Sequence, residues 1–115
     1  MGRSSRKYLY DILQSIDSIN EYIGDQKDFF AYEQNKLLRR AVERELEIIG
    51  EAPHHLLQLN PEIEISNARK IINLRKFVIH GYDKVDNVII WGVVSKDLPM
   101  LKEQVQKLMD QSTIL

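Results

Sequence analysis

The chain contains no cysteine among its 115 residues. Disulfide bonds, thiolate nucleophiles and zinc sites built on cysteine are therefore excluded. Its three histidines never take the His-x-x-x-His or His-Glu-x-x-His spacing that places two imidazoles on one helical face. The sequence offers no dedicated transition-metal site, and we expect neither a metal nor another cofactor.

An excess of charge of one sign and long hydrophobic runs are also missing. Lysine and arginine number 16 against 17 aspartates and glutamates, which gives a formal net charge of −1. A protein that coats nucleic acid by bulk positive charge is disfavoured, although a local basic patch stays open. No apolar run approaches the ~20 residues that span a bilayer, and the start of the chain lacks the apolar core of a secretory signal. We therefore expect a cytoplasmic protein that does not act at a membrane.

Glycine and proline are scarce, at 5 and 3 residues, which is few for a β-protein with many turns. The hydrophobic residues recur instead at alternating intervals of three and four, the period of an amphipathic α-helix. This spacing is most regular in the set Leu9, Ile12, Ile16, Ile19 and Ile23. The pattern predicts four helical segments, at about 5–23, 29–59, 66–80 and 86–111.

Local signals set the boundaries of these segments. Gly24 is predicted to end the first segment, Pro53 is the candidate break in the second, and Gly81 is predicted to end the third. The last segment keeps its apolar spacing through Pro99, so we predict one helix that is kinked there. A chain of this length holds one core. The prediction is a single all-α domain over residues 1–115, an up-down bundle of four to five helices.

Two of the apolar stripes contain a charged residue. At about 100° per residue, Glu45 falls among the apolar positions of the second segment and Arg75 among those of the third. A charge on a buried face is costly unless it is paired. Three interpretations stay open: the two residues form a buried pair, either one reaches the rim, or the Arg75 face meets a second protomer or a cleft. The series Glu43, Glu47 and Glu51, by contrast, is predicted to form a solvated face, with docking of a partner as the lesser alternative.

The third segment also carries a polar strip. Arg69, Asn73, Lys76 and His80 share one side of an ideal helix. Such a strip can contact phosphate groups, or it can be an ordinary solvated face. His80 lies about 140° from Arg75 around the helix axis. The two converge only if the helix ends directly after His80 or if a two-fold axis brings in a second copy of the chain.

The residues from Arg75 to Tyr82 form the pattern Arg-x4-His-x-Tyr at the end of a predicted helix. Further motifs lie on both sides of it: Glu47-Ile48-Ile49-Gly50-Glu51-Ala52, Val85-Asp86, Trp91 and Leu98-Pro99. Together these residues resemble the HepT-like family of the HEPN superfamily, and the resemblance covers nearly the whole chain. It implies a HEPN-type helical bundle that works as a homodimer.

The resemblance also implies an activity and a partner. HepT-like proteins are toxins whose antitoxin is a minimal nucleotidyltransferase of the MntA type, and their activity is metal-independent cleavage of RNA at the dimer interface. On this likeness Arg75 and His80 are the catalytic pair, and Tyr82 accepts AMP from the antitoxin. The position after the arginine is often asparagine or another small polar residue in the family, and here it is lysine. The candidate contacts to RNA phosphates are Lys76, Asn73 and Arg69.

The chemistry of the two catalytic residue types fits this activity. RNA carries its own nucleophile, the 2′-hydroxyl, so an enzyme needs a base for that proton and a cation for the developing phosphorane charge. Histidine titrates near neutral pH, and arginine offers a bidentate fork for phosphate oxygens. Two other functions stay open: a non-catalytic helical dimer that binds the nucleotidyltransferase, and a nucleotide-binding bundle that uses the polar strip. Toxicity on expression without the partner separates the ribonuclease from both.

Overall fold

The structure, a computed structural model, describes residues 3–25, 27–59, 61 and 87–113. Every regular element in these ranges is helical. The order along the chain is α1 (Arg3–Ile23), α2 (Phe29–Gln34), α3 (Lys36–Leu59), α4 (Asn87–Gly92), a π-helical turn (Val93–Asp97) and α5 (Leu98–Thr113). The predicted all-α bundle is confirmed, whereas the segment predicted at 66–80 lies outside the described residues.

The first helix follows the predicted stripe and ends where the sequence places its end. The backbone of Gly24 has φ +76°, and its N–H donates to the carbonyl of Asn20 at 3.0 Å. Glycine adopts this left-handed conformation at little steric cost, so it commonly ends a helix. The apolar stripe of α1 is buried along its length except at its last, partly buried member: Leu9, Ile12, Ile16, Ile19 and Ile23.

The second predicted segment is two helices rather than one, and the prediction was wrong about where it breaks. The chain leaves helical geometry at Asn35, which has φ −106° and ψ 96°. The Asn35 side chain accepts a hydrogen bond from the Leu38 N–H at 3.0 Å, and Asp28 accepts one from the Ala31 N–H at 3.3 Å. Side chains that satisfy the first N–H groups of a helix stabilise its start. The break therefore lies at an asparagine, and the backbone of Pro53 lies inside α3.

The core lies between the three long helices, because α1 packs mainly against α3 and also against α5. The buried apolar residues of α3 are Val42, Leu46, Ile49, Ala52 and Leu56. Those of the last helical run are Ile90, Val93, Val94, Leu98, Leu101 and Val105. Most of the apolar positions predicted for the second and last segments are confirmed as core positions: Val42, Ile49, Ala52, Leu56, Val94, Leu98, Leu101 and Val105. The other members of the two predicted stripes are only partly buried: Leu38, Ala41, Trp91 and Leu108.

The run from Asn87 to Thr113 is continuously helical but contains one wide turn. The Leu98 N–H donates to the carbonyl of Val93, five residues earlier, as in a π-helix. Pro99 follows directly. A proline has no N–H to donate, and its ring crowds the carbonyl four residues before it, so a wider turn relieves the contact. One helical run is thus confirmed, and a kink at Pro99 stays a prediction.

Candidate functional site

The six residues predicted to form the site lie together in the sequence. All of them belong to residues 62–86, which lie outside the described residues: Arg69, Asn73, Arg75, Lys76, His80 and Tyr82. Within the described ranges, no three histidine, aspartate or glutamate side chains come close enough together to hold a metal ion. No helix there is both long enough and apolar enough to cross a bilayer. The structure describes helices α1 to α5, to which none of these six residues belongs.

Glu45, the charge predicted inside the apolar stripe of α3, lies at the rim of the core. It is half-buried, and its Oε2 accepts a hydrogen bond from the hydroxyl of Tyr22 on α1 at 2.9 Å. That bond, followed by the negative charge of Glu45, raises the pKa of the Tyr22 hydroxyl above its ordinary value. Of the three interpretations, this placement favours a side chain that reaches the rim. The proposed partner Arg75 is outside the described residues.

The buried carboxylate of α3 is Glu43, which the sequence pattern predicted to be solvated. Only 7% of Glu43 is exposed. Both of its carboxylate oxygens accept hydrogen bonds from the Arg40 Nη1, at 3.0 and 3.1 Å. Leu46, three residues later, lies next to Glu43 on the helix surface and is itself buried, so the buried face of α3 is wider than its apolar stripe. The feature of the sequence that could have predicted the burial of Glu43 was Arg40, an arginine three residues before it.

Glu43 belongs to a polar cluster at the junction of α2 and α3. Tyr32 of α2 is 1% exposed, and burial, followed by the charge of Glu43, raises the pKa of its hydroxyl. The charges of Arg39 and Arg40 oppose that rise, so both lie within electrostatic range of the ring. Trp91 of α4 covers Tyr32, with ring centroids 5.3 Å apart. The cluster thus joins α2, α3 and α4.

Two donors in this cluster have no acceptor among the described residues. They are the hydroxyl of Tyr32 and the Nε–H of Arg39, and both atoms are closed to solvent. A buried donor that makes no hydrogen bond costs roughly 1–3 kcal/mol of stability. Because neither atom is open to solvent, neither is available to a ligand.

Replacing Tyr32 with phenylalanine should raise the free energy of unfolding by about 1 kcal/mol, because it removes a buried hydroxyl that has no partner among the described residues. Chemical denaturation of both proteins measures the difference. Tyr10→Phe is the matched control, since Tyr10 is 53% exposed on α1, and it should shift stability by less than about 0.5 kcal/mol. A loss of stability in Tyr32→Phe would mean that the hydroxyl holds an acceptor in solution.

A model of a known protein family matches the part of the chain that contains most of these helices and the whole predicted site. The family model described as ribonuclease HepT-like matches residues 12–108. The match begins within α1, continues to α5 and includes the Arg75-x4-His80-x-Tyr82 motif. The chain belongs to the HepT-like ribonuclease family. The resemblance seen in the sequence is confirmed at this level.

Individual relatives extend the HepT-like match over nearly the full chain. Probable ribonuclease HepT of Thermococcus cleftensis is 38% identical over 114 residues, which cover 94% of this chain and 98% of that protein. A candidate RNase of Methanocaldococcus jannaschii, MJ1380, is 35% identical over 106 residues, which cover 90% of this chain and 95% of that one. A longer protein of the same organism, MJ0434, is named as a gamma-glutamylcyclotransferase and candidate RNase. It is 37% identical over 114 residues, only 50% of its own length. No solved structure matches the chain.

Proposed function

We propose that this HepT-like chain is the toxin of a toxin–antitoxin pair and a metal-independent endoribonuclease of the cytoplasm. The observation that carries the proposal is the Arg75-x4-His80-x-Tyr82 motif, within residues matched by the ribonuclease family model. The names of the relatives, which give them as RNases, support the reaction class. The near-balanced net charge is compatible with it if the basic residues gather in one cleft.

The reaction is an internal transesterification of RNA. His80 takes the proton of a 2′-hydroxyl, and that oxygen attacks the adjacent phosphorus. The bond from phosphorus to the 5′-oxygen of the next nucleotide breaks, and that oxygen takes a proton from water as it leaves, while His80 returns to water the proton that it took. Arg75 holds the phosphate oxygens as negative charge builds on them. The products are a 2′,3′-cyclic phosphate and a 5′-hydroxyl end.

The catalytic unit is a homodimer, in which two copies of the motif line one cleft. An arginine on an apolar stripe supports this arrangement, because a second protomer can cover the face that carries Arg75. Two apposed third helices also bring the polar strip of both copies together. The candidate contacts to RNA phosphates in that cleft are Lys76, Asn73 and Arg69.

The partner is a minimal nucleotidyltransferase antitoxin of the MntA type. It transfers AMP from ATP to the hydroxyl of Tyr82 and releases pyrophosphate. Tyr82 follows Gly81, where the helix is predicted to end, so its side chain is expected to reach a second active site. Each AMP adds a charge of about −1 and a bulky adenosine two residues from His80. The added group competes with RNA for Arg75 and stops cleavage.

The direct test is incubation of the purified chain with end-labelled single-stranded RNA. We expect fragments that end in a 2′,3′-cyclic phosphate, at a rate that EDTA leaves unchanged. RNA with 2′-O-methyl groups throughout should stay intact, because it lacks the nucleophile. If no RNA is cut and the chain still binds the nucleotidyltransferase, the chain is the non-catalytic dimer. If EDTA stops cleavage, the metal-independent mechanism is wrong.

A further inference from the structure

A groove of about 500 Å³ lies between the end of α1 and the last helical run. It is within the about 300–1,000 Å³ range of small-molecule sites. The apolar part of its lining is Ile16, Ile23, Trp91, Val94 and Pro99. The Trp91 indole is held by two other aromatic rings, with its centroid 5.6 Å from that of Phe29 and 5.3 Å from that of Tyr32. The groove therefore has a fixed aromatic side chain in its wall.

Neutral polar groups surround this apolar floor. Asn20 of α1, Ser95 of the π-helical turn and Gln106 of α5 all line the groove and are exposed. The Gln106 amide nitrogen donates to Asp110 at 3.2 Å, so its carbonyl oxygen is the atom that can accept from a ligand. Two amides and a hydroxyl can donate and accept hydrogen bonds in the plane of a flat heterocycle.

The charged residues of the rim balance one another. Lys27 and Lys102 stand against Asp25 and Glu103. The Lys102 Nζ is also bound to Asp17, outside the lining, at 3.0 Å. Because the charged residues at the rim carry no net positive charge, the groove does not favour a phosphate. Because amide side chains lie at the edge of its apolar lining, the groove does not favour a purely apolar ligand either. The arrangement suits an uncharged flat ring that carries polar groups on its edge.

We propose that the groove between α1 and α5 binds one unstacked base of single-stranded RNA. Single-stranded RNA is commonly recognised in this way, by bases that pack on aromatic side chains while amides and hydroxyls bind their edges. The base contacts Trp91 and the apolar floor, and the side chains of Asn20, Ser95 and Gln106 bind its edge. Its ribose and phosphates stay in solvent at the rim.

This inference rests on the proposed ribonuclease function, which supplies RNA as the substrate, and it gives the groove a role separate from cleavage. A base held there fixes one nucleotide of the substrate while other residues cut elsewhere on the strand. Asn20 and Gln106 are then positioning residues that set the affinity for RNA and the choice of cleavage position. They touch no reacting atom.

Trp91 makes the groove directly observable, because it is the single tryptophan of the chain. The probe is a single-stranded oligonucleotide with 2′-O-methyl ribose throughout, which binds but cannot be cut. Titration should quench Trp91 emission to saturation. The Asn20→Ala, Gln106→Ala double variant should raise the Kd by about tenfold, as expected for the loss of its edge contacts. Ser95→Phe, which fills the groove, should abolish the quenching.

Gln14→Ala is the matched control, since Gln14 is an exposed amide of α1 outside the groove, and its Kd should equal that of the wild type. The proposal is overturned if the oligonucleotide binds, by fluorescence anisotropy, without changing Trp91 emission. It is also overturned if the double variant binds with wild-type Kd, or if Trp91 emission changes with protein concentration alone, which would place a second copy in the groove. If unmodified RNA is cleaved but Trp91 emission does not change, the ribonuclease function is supported and the base-binding groove is wrong. If Trp91 emission changes but no RNA is cleaved, the base-binding groove is supported and the ribonuclease function is wrong.

Discussion

Alanine in place of His80 should lower the rate of RNA cleavage by roughly 10²–10⁴-fold, the range that general acid–base catalysis contributes. The alanine side chain cannot take the proton of the 2′-hydroxyl, and no other histidine lies within 24 residues of it in the sequence. Single-turnover cleavage of end-labelled RNA measures the effect. Helix content by circular dichroism should stay unchanged, because His80 is predicted to lie on the polar side of its helix, at the end.

Arg75→Ala should abolish cleavage in the same assay, because the guanidinium no longer stabilises the charge on the phosphate. This variant is also expected to lose stability, since the sequence pattern predicts that Arg75 lies on an apolar stripe. Sedimentation separates the loss of catalysis from a loss of the dimer. The active wild type and the inactive His80→Ala protein should both have twice the chain mass at micromolar concentration. Cleavage by His80→Ala at the wild-type rate would remove His80 from the catalytic site, and a clean monomer would remove the composite dimer site.

Tyr82→Phe should remain an active ribonuclease and should no longer be silenced by the nucleotidyltransferase partner. Phenylalanine keeps the ring but lacks the hydroxyl that accepts AMP. Co-expression with the partner, followed by intact mass spectrometry, should show AMP adducts on the wild-type chain, singly or in short series, and none on Tyr82→Phe. The modified wild type should cut RNA at least about 100-fold more slowly, because the added charge of about −1 and the adenosine fill the cleft.

Two other tyrosines control for modification elsewhere. Tyr10 and Tyr22 are 53% and 43% exposed on α1, so both are open to an enzyme, and neither is predicted to be an acceptor. Tyr10→Phe and Tyr22→Phe chains should therefore carry the same AMP adducts as the wild type. A co-expressed wild type that is unmodified and yet inhibited would replace modification by steric blocking. An inactive Tyr82→Phe protein would instead place Tyr82 in the catalytic site.

The spacing of the apolar residues predicted the helical bundle well. The spacing within one helix is enough to identify the face that this helix buries. The intervals of α1 alone identify its core face, and Gly24 marks its end by a conformation that glycine adopts easily. The same holds for the run through Pro99, where regular spacing predicted one continuous helical element. These features depend on local geometry, which a sequence specifies directly.

The features that the sequence did not predict depend on contacts between elements or on single side chains. The break at Asn35 comes from one side chain, which accepts a hydrogen bond from the Leu38 N–H. Glu43 is buried because Arg40 binds it and because the covered face of α3 is wide, and neither is visible in periodicity. The groove beside Trp91 needs α1 and α5 to meet, so its lining could not be read from either helix alone. The catalytic assignment rests on the motif and on family membership.

The contacts of Trp91 also bear on how the molecule opens. Helix α2 has six residues, and a helix this short does not persist alone in water. It is held in part by the rings of Phe29 and Tyr32, which pack on Trp91 of the long last helical run. Loss of these ring contacts leaves α2 without that support, so its local unfolding is expected to precede the separation of the three long helices.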